Sequence, residues 1–406
     1  MAHAPSSTSA AVRGAMRLST TPIGGIKLSP LSRSALLDTT GARQTQPRIR
    51  LYSTSVLNTA DSTPEVSNKR AILFPGQGSQ YVGMGRDLYE TYPIARQTID
   101  EADAILFSMS PSSSSSSPQE EGYLKRVMFE GPQEELTRTE NAQPAILTTS
   151  IALLRVLETE HGLDLKESCR FALGHSLGEY SALVATRALS LPDAVRLVRI
   201  RGDAMAMAVT DKKGMTAMSA LVVRASKLDE LVKAMHEIQT ELSPTGEIAE
   251  IANINSSFQV VISGTVKGVD HASKTLQFRK IAAKAVDLPV SAPFHCSLME
   301  PAARVMKDAL ADISFKQPII PIVSNVQAQP IESSNDIPSL LVQQVTDTVQ
   351  WRQSLVNLHS QQQQYDISEY ICIGPGKVIC NLLRKEYPLD TIRSVSTVED
   401  IQQWKL

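Results

Sequence analysis

No apolar run in the 406-residue sequence approaches the ~18 residues of a membrane-crossing helix, so no membrane span is expected. Cysteine is sparse. Cys169, Cys296, Cys372 and Cys380 show neither zinc-ligand spacing nor a disulfide framework, so they are expected as small buried side chains and no metal is assigned. There is no basic patch interleaved with aromatics, and the net charge is −2, which argues against nucleic acid as a partner. No internal repeat is present. No G-x-x-x-x-G-K-[ST] run exists, which excludes a Walker-type phosphate loop. What remains, 42% hydrophobic and 20% charged residues, suits a soluble globular protein of roughly two to three domains.

Acidic residues are also scarce at the start. Residues 1–52 hold seven basic side chains and one acidic, Asp38, among many Ser and Thr. No secretory-type apolar core is present. This is the composition of a mitochondrial transit peptide, and Arg50-Leu51-Tyr52-Ser53 resembles a processing site. Without those residues the net charge becomes −8. A linker is expected over 53–68.

The folded part is expected to begin at Lys69. Ala71-Ile72-Leu73-Phe74 reads as a strand ending in the loop Pro75-Gly76-Gln77-Gly78, with one helix from Gly85 to Leu106. Residues 108–121, with six consecutive serines between Pro111 and Pro118, read as a surface insert. Helical spacing runs from Gln143 to His161 and from Leu191 to Val209. From Thr216 to Leu288 the pattern becomes strand, helix, strand, strand, helix, strand. That is the order of a ferredoxin-like unit. Ile319–Val323 and Tyr370–Ile373 read as further strands, with a glutamine run at 361–364. The expectation is an α/β protein: a larger α/β-hydrolase-like domain (69–213 and 289–406) with a smaller ferredoxin-like domain (214–288) inserted.

The chemistry concentrates at Gly174-His175-Ser176-Leu177-Gly178, directly after Phe171-Ala172-Leu173. A strand running into G-x-S-x-G and then a helix, expected here over Leu177–Leu189, holds a serine hydroxyl up on a sharp turn. The helix start beneath it favours developing negative charge. A base is needed. His295 lies on the Pro-punctuated loop Pro289–Cys296, where catalytic groups tend to be carried. The Gly-rich loop at Gln77 can aim an N–H inward and, with that of Leu177, bind an oxyanion. Arg201 is either a solvated helix charge or a two-pronged carboxylate ligand, and the sequence leaves both open.

Taken together, Phe74–Gln80, Gly174–Ala182, Arg201-Gly202, Asn255-Ser256, Phe294-His295 and Gly374-Pro375-Gly376-Lys377 resemble, in their order, the malonyl-CoA:acyl-carrier-protein transacylases. The resemblance spans roughly residues 69–400. It implies transfer of malonyl from malonyl-CoA to the phosphopantetheine thiol of acyl carrier protein, through a malonyl-serine, for type II fatty acid synthesis. It makes Ser176 the nucleophile and His295 its base, oriented by main-chain carbonyls near Gln350. The Gln77 and Leu177 N–H groups would form the oxyanion hole, and Arg201 would pair with the malonyl carboxylate. His175 and Asn255 would line the site, and Phe294 resembles malonyl-selective members. No cofactor is implied. A monomer in the mitochondrial matrix is expected. Lys377, Arg384 and Lys385 are candidate basic contacts for the carrier. Two features depart from the family pattern: the Ser-rich insert, and Ser257-Phe258, where many members have Pro and a small residue.

Two other readings compete. A serine esterase or thioesterase of α/β-hydrolase type shares the elbow but should carry an HGGG-type motif and a histidine near the C-terminus, and neither is present. A non-catalytic carrier scaffold would not need Ser176, His295 and Arg201 together.

N-terminal sequencing of the protein isolated from its cells should find a chain starting near Tyr52; Met1 or Ala2 at the terminus would refute the leader reading.

Overall fold

The run after Arg70 forms strand β1 (Arg70–Phe74), buried almost throughout and paired in parallel on both sides, which is why it shows no polar alternation. The computed structural model describes residues 70–109, 120–209, 211, 215–290, 292–360 and 367–405. The expected leader 1–52, the linker 53–68, residues 110–119 of the Ser-rich insert and the glutamine run lie outside the described residues.

Two helices follow where one was expected: α1 (Arg86–Thr91) and α2 (Pro93–Ser108). Pro93 forces Tyr92 into an extended conformation (φ −115°, ψ 121°) and breaks the helix there. Next come α3 (Tyr123–Phe129), α4 (Gln133–Thr137), α5 (Thr139–His161) and α6 (Leu165–Ser168), then strand β2 (Cys169–Gly174). Helix α7 (Gly178–Ala185) is shorter than its pattern suggests, because Arg187 turns left-handed (φ 61°) just beyond it. Helix α8 (Leu191–Met207) is capped by the Ser190 hydroxyl.

The second sheet is antiparallel. Its elements are β3 (Thr216–Val223), α9 (Leu228–Leu242), β4 (Ala249–Ser256), β5 (Gln259–Thr265), α10 (Val266–Phe278) and β6 (Ala282–Asp287). The strand order is β4-β5-β3-β6. Alternate residues serve two cores. Leu221, Val260 and Ile262 pack with Leu231 and Ile238 of α9, while Met218, Ala252 and Val261 turn to the main core.

The chain then returns through α11 (Glu300–Ala311), α12 (Ile337–Thr346), α13 (Trp351–Ser360), β7 (Glu369–Ile373), α14 (Val378–Glu386), β8 (Thr391–Val395) and α15 (Val398–Gln402). The strand expected at Ile319–Val323 is reduced to isolated bridges, Ala172 with Ile322 and Val323 with Pro330. Pro318 and Pro321 have no N–H to give a ladder. All four cysteines are free and buried.

The first sheet has the order β2-β1-β7-β8, all parallel. The chain leaves β1 for β2 on one side and later for β7 on the other. The loops beyond the C-terminal ends of these strands therefore diverge around a crevice, where ligands of open α/β sheets bind. The loop after β1 carries Gln77, and that after β2 carries Ser176. Close approach of these loops has a steric condition. A Cβ on Gly178 would lie 2.4 Å from the Phe74 carbonyl oxygen at the end of β1. Gly178→Ala should accordingly destabilise the protein by more than ~2 kcal/mol in chemical denaturation, because backbone rather than a movable side chain must give way.

Candidate active site

Ser176 sits between β2 and α7 with φ 51°, a left-handed backbone that costs a non-glycine residue on the order of 1–3 kcal/mol. Asn325 holds the strained turn. Its Oδ1 accepts from the Ser176 N–H at 2.6 Å, and its Nδ2 donates to the Gly174 carbonyl at 2.7 Å. Asn325 is itself fixed by the Gln350 N–H, which donates to its carbonyl at 2.8 Å.

His295 also has a left-handed backbone, φ 57°. Its Nε2 lies 2.7 Å from Ser176 Oγ and its Nδ1 lies 2.7 Å from the Gln344 carbonyl oxygen. A carbonyl only accepts, so Nδ1 carries the proton and Nε2 is left to accept the serine hydroxyl. Here the structure sharpens the sequence reading. The nearest orienting carbonyl belongs to Gln344, with a further main-chain contribution from Asp347, three residues before Gln350; the Gln350 carbonyl itself accepts from Ser354 N in the first turn of α13. Gln344 lies in the last turn of α12, where carbonyls lack an intrahelical donor and one is free to face the imidazole. No carboxylate contacts either ring nitrogen among the described residues.

Arg201 turns inward from α8 and is 2% exposed. Its Nη1 donates to Gln143 Oε1 at 2.8 Å, and its Nη2 donates to Gln344 Oε1 at 2.8 Å and to Ser176 Oγ at 3.2 Å. Its Nε has no partner among the described residues. The approach of α8 to α5 that makes the Gln143 contact depends on Gly202, where a Cβ would lie 2.5 Å from the Glu140 Cα. Burial lowers the pKa of Arg201, while Tyr180 and Glu179 act to raise it.

Gln77 is anchored through its side chain, whose Oε1 accepts from Thr139 Oγ1 at 2.9 Å. The Gln77 and Leu177 N–H groups donate to no other described backbone group, and both residues line the cavity. His175 Nε2 lies 2.8 Å from Asn255 Oδ1, and Asn255 Nδ2 donates to Gln259 Oε1 at 3.1 Å. Burial lowers the His175 pKa, so this histidine is a neutral donor to Asn255. Phe294 is buried next to His295 in the chain. Ser176, His295, Arg201, Gln77, Leu177, His175, Asn255 and Phe294 all line one cavity of about 480 Å3, which also takes in Val378 and Leu382 of α14; Gln350 and the basic candidates Lys377, Arg384 and Lys385 do not line it.

Four polar residues were missed: Gln143, Glu179, Asn325 and Gln344. Only Glu179 left a signal, as the one carboxylate within Gly174–Ala182. It is 1% exposed, and burial pushes its pKa up to about 7 against the opposing effects of Gln344, Asn325 and Arg201. At the mouth, Ser257 donates through its N–H to Glu386 Oε2 at 2.9 Å and also through its hydroxyl to that carboxylate, and Arg352 Nε reaches Ser257 Oγ at 2.9 Å. This hydroxyl-to-carboxylate joint ties the β4–β5 turn to α13 and α14. Lys385 lies over the Phe258 ring at 5.2 Å, and Arg384 donates to the Ile392 carbonyl at 3.2 Å.

Residues 72–368 match the acyl transferase domain family. A malonyl CoA-acyl carrier protein transacylase of Bacillus subtilis is 42% identical over 318 residues, covering 78% of this chain and 90% of that protein. The solved acyl-carrier-protein-S-malonyltransferase of Bartonella henselae superimposes with a TM-score of 0.72 at 39% identity, covering 82% of this chain and 97% of its own. A malonyl-transacylase solved in complex with a type II PKS acyl-carrier protein gives a TM-score of 0.71 at 33% identity, covering 82% and 98%.

The pKa of His295 is pushed down to about 3, chiefly by burial and then by the Arg201 charge, against main-chain hydrogen bonds to Gln344 and Asp347. Between its ordinary 6.5 and about 3 the unfolded chain binds a proton that the folded site refuses, so this contribution to stability falls as pH falls. Thermal unfolding of wild type and His295→Gln between about pH 7 and 4 should show the wild type losing more on acidification; a pH-independent difference would contradict a neutral buried base.

Proposed function

The chain belongs to the acyl transferase family, alongside the malonyl-CoA:acyl-carrier-protein transacylases, and from that membership we propose how its residues divide the work of the reaction. The protein is an acyl carrier protein S-malonyltransferase that moves malonyl from malonyl-CoA to the phosphopantetheine thiol of the carrier. The observation that carries the reading is a nucleophile bonded to a neutral base at 2.7 Å with a buried guanidinium 3.2 Å from the same oxygen. In a malonyl thioester one methylene separates carbonyl from carboxylate. A cation that close to the attacking oxygen is therefore within reach of the carboxylate and has nothing to hold in an acetyl group.

Ser176 Oγ attacks the thioester carbonyl as its proton passes to His295 Nε2. The oxyanion is received by the Leu177 and Gln77 N–H groups. Collapse expels the CoA sulfur, which takes the proton from His295 and leaves malonyl-Ser176. The carrier thiol then enters, gives its proton to His295 and attacks the ester. The serine oxygen leaves with that proton. His175 and Asn255 brace the elbow against the small sheet, Phe294 closes the acyl end, and α14 offers the apolar wall for the pantetheine arm. A carbonyl rather than a carboxylate behind His295 makes a milder base, suited to exchange between thioesters. This is the observation that disfavours the esterase reading.

Three further readings are ours. The order β4-β5-β3-β6 supports a ferredoxin-like unit over 214–288, with 69–213 and 289–406 forming the larger, hydrolase-like domain. The composition of residues 1–52 supports a mitochondrial leader and action in the matrix. The product would then feed type II fatty acid synthesis there.

Intact mass of the protein after incubation with malonyl-CoA should show a malonyl adduct on wild type, none on Ser176→Ala and much less on Arg201→Ala. Steady CoA release without an adduct would instead indicate a hydrolase, and neither adduct nor release a scaffold.

A further inference from the structure

Glu179 touches neither Ser176 Oγ nor His295, yet its carboxylate is sealed in the first turn of α7, directly beneath the nucleophile. Its Oε2 accepts from Gln344 Nε2 at 2.7 Å and from the Asn325 N–H at 3.4 Å. The other hydrogen of that Gln344 amide goes to the Ser176 carbonyl at 3.0 Å. Both amide hydrogens thus have acceptors, and the amide oxygen is left to face Arg201 Nη2 at 2.8 Å.

An amide can be turned end for end with almost no change of shape, so sterics alone do not orient it. Turned the other way, Gln344 would set its NH2 against the guanidinium and its oxygen against two acceptors, one of them a carboxylate. The carboxylate is the strongest of these acceptors, because a charge-assisted bond exceeds a neutral one. When ionised, Glu179 also acts, after Tyr180, to raise the pKa of Arg201 against the effect of burial.

We propose that Glu179 is a positioning residue for acyl selectivity: through the Gln344 carboxamide it holds Arg201 in the orientation that receives the carboxylate of the acyl group. The proposal rests on the reading of Arg201 as the malonyl ligand, and its test separates the two. Glu179 would not touch substrate. Its removal would act through Arg201 and so weigh on malonyl more than on acetyl, which has no carboxylate to lose.

The experiment compares kcat/KM for malonyl-CoA and acetyl-CoA in wild type, Glu179→Met, Glu179→Gln, Gln344→Met and Arg201→Ala, with the fold of each variant checked by circular dichroism. Glu179→Met keeps volume but offers no acceptor, and should lower the malonyl-over-acetyl preference by about tenfold or more, mainly through KM for malonyl-CoA. Glu179→Gln keeps an oxygen for Gln344 Nε2 and should hold the preference within about threefold of wild type. If Glu179→Met does not fold, Gln344→Met breaks the same bridge from its other end and carries the test. An unchanged preference in the folded variant, or an equal loss on both donors, overturns the proposal while loss of preference in Arg201→Ala leaves the substrate reading intact. A preference that survives Arg201→Ala overturns that reading and this proposal with it.

Discussion

A guanidinium buried to 2% exposure sets the terms for the site. A cation out of water must be surrounded by acceptors, and the chain supplies them as two glutamine side chains, a serine oxygen and a carboxylate one amide away. Each acceptor has a second task. Gln344 orients His295 through its main chain and the elbow through its side chain. Gln143 bonds Thr139, which in turn holds Gln77. Charge compensation and catalytic geometry are solved by the same atoms. That coupling explains why the site is so densely hydrogen-bonded for a reaction with so few chemical participants.

Backbone strain is handled in the same way. Ser176 and His295 both adopt left-handed conformations, and both are held by groups distant in sequence. The parallel sheet contributes rigidity: β1 and β2 run fully buried into their loops, so the two loops that would form the oxyanion hole start from fixed points. The cost of holding two reactive side chains off their relaxed geometry is spread across the core rather than borne by a flexible loop.

Local features of this site were legible in the sequence and relational ones were not. The elbow could be read because strand, turn and helix lie within a few residues. The strands and helices from β3 to β6 could be read because each is a short local run whose apolar period is that of a strand or of a helix. Asn325 and Gln344 could not, since they lie 149 and 168 residues from the serine they hold and an amide has no characteristic spacing. The offset from Gln350 to Gln344 has the same origin. Which carbonyl is free for His295 depends on where α12 ends, and α12 itself was not foreseen. Arg201 was left between surface and site because only the packing of α8 on α5, through Gly202, decides which way it faces. The division of α1 from α2 shows the converse: Pro93 was visible, and its effect on Tyr92 outweighed a continuous helical pattern.

The second sheet enters and leaves through adjacent strands, since Ser219 of β3 pairs with Asp287 of β6. Its entrance and exit are separated by only about one interstrand spacing of ~5 Å. The sheet is also tied on beyond those two crossings: the Val349 N–H donates to the Ala252 carbonyl at 2.8 Å, the Ile254 N–H donates to the Val349 carbonyl at 3.1 Å, and Met218, Ala252 and Val261 pack into the main core. Asn255, Gln259 and Val261 reach the cavity from this sheet, whereas Ser176, His295 and Arg201 lie outside it. The two sets of lining residues thus meet across one continuous core, so a change of volume on either side of the cavity is felt on the other.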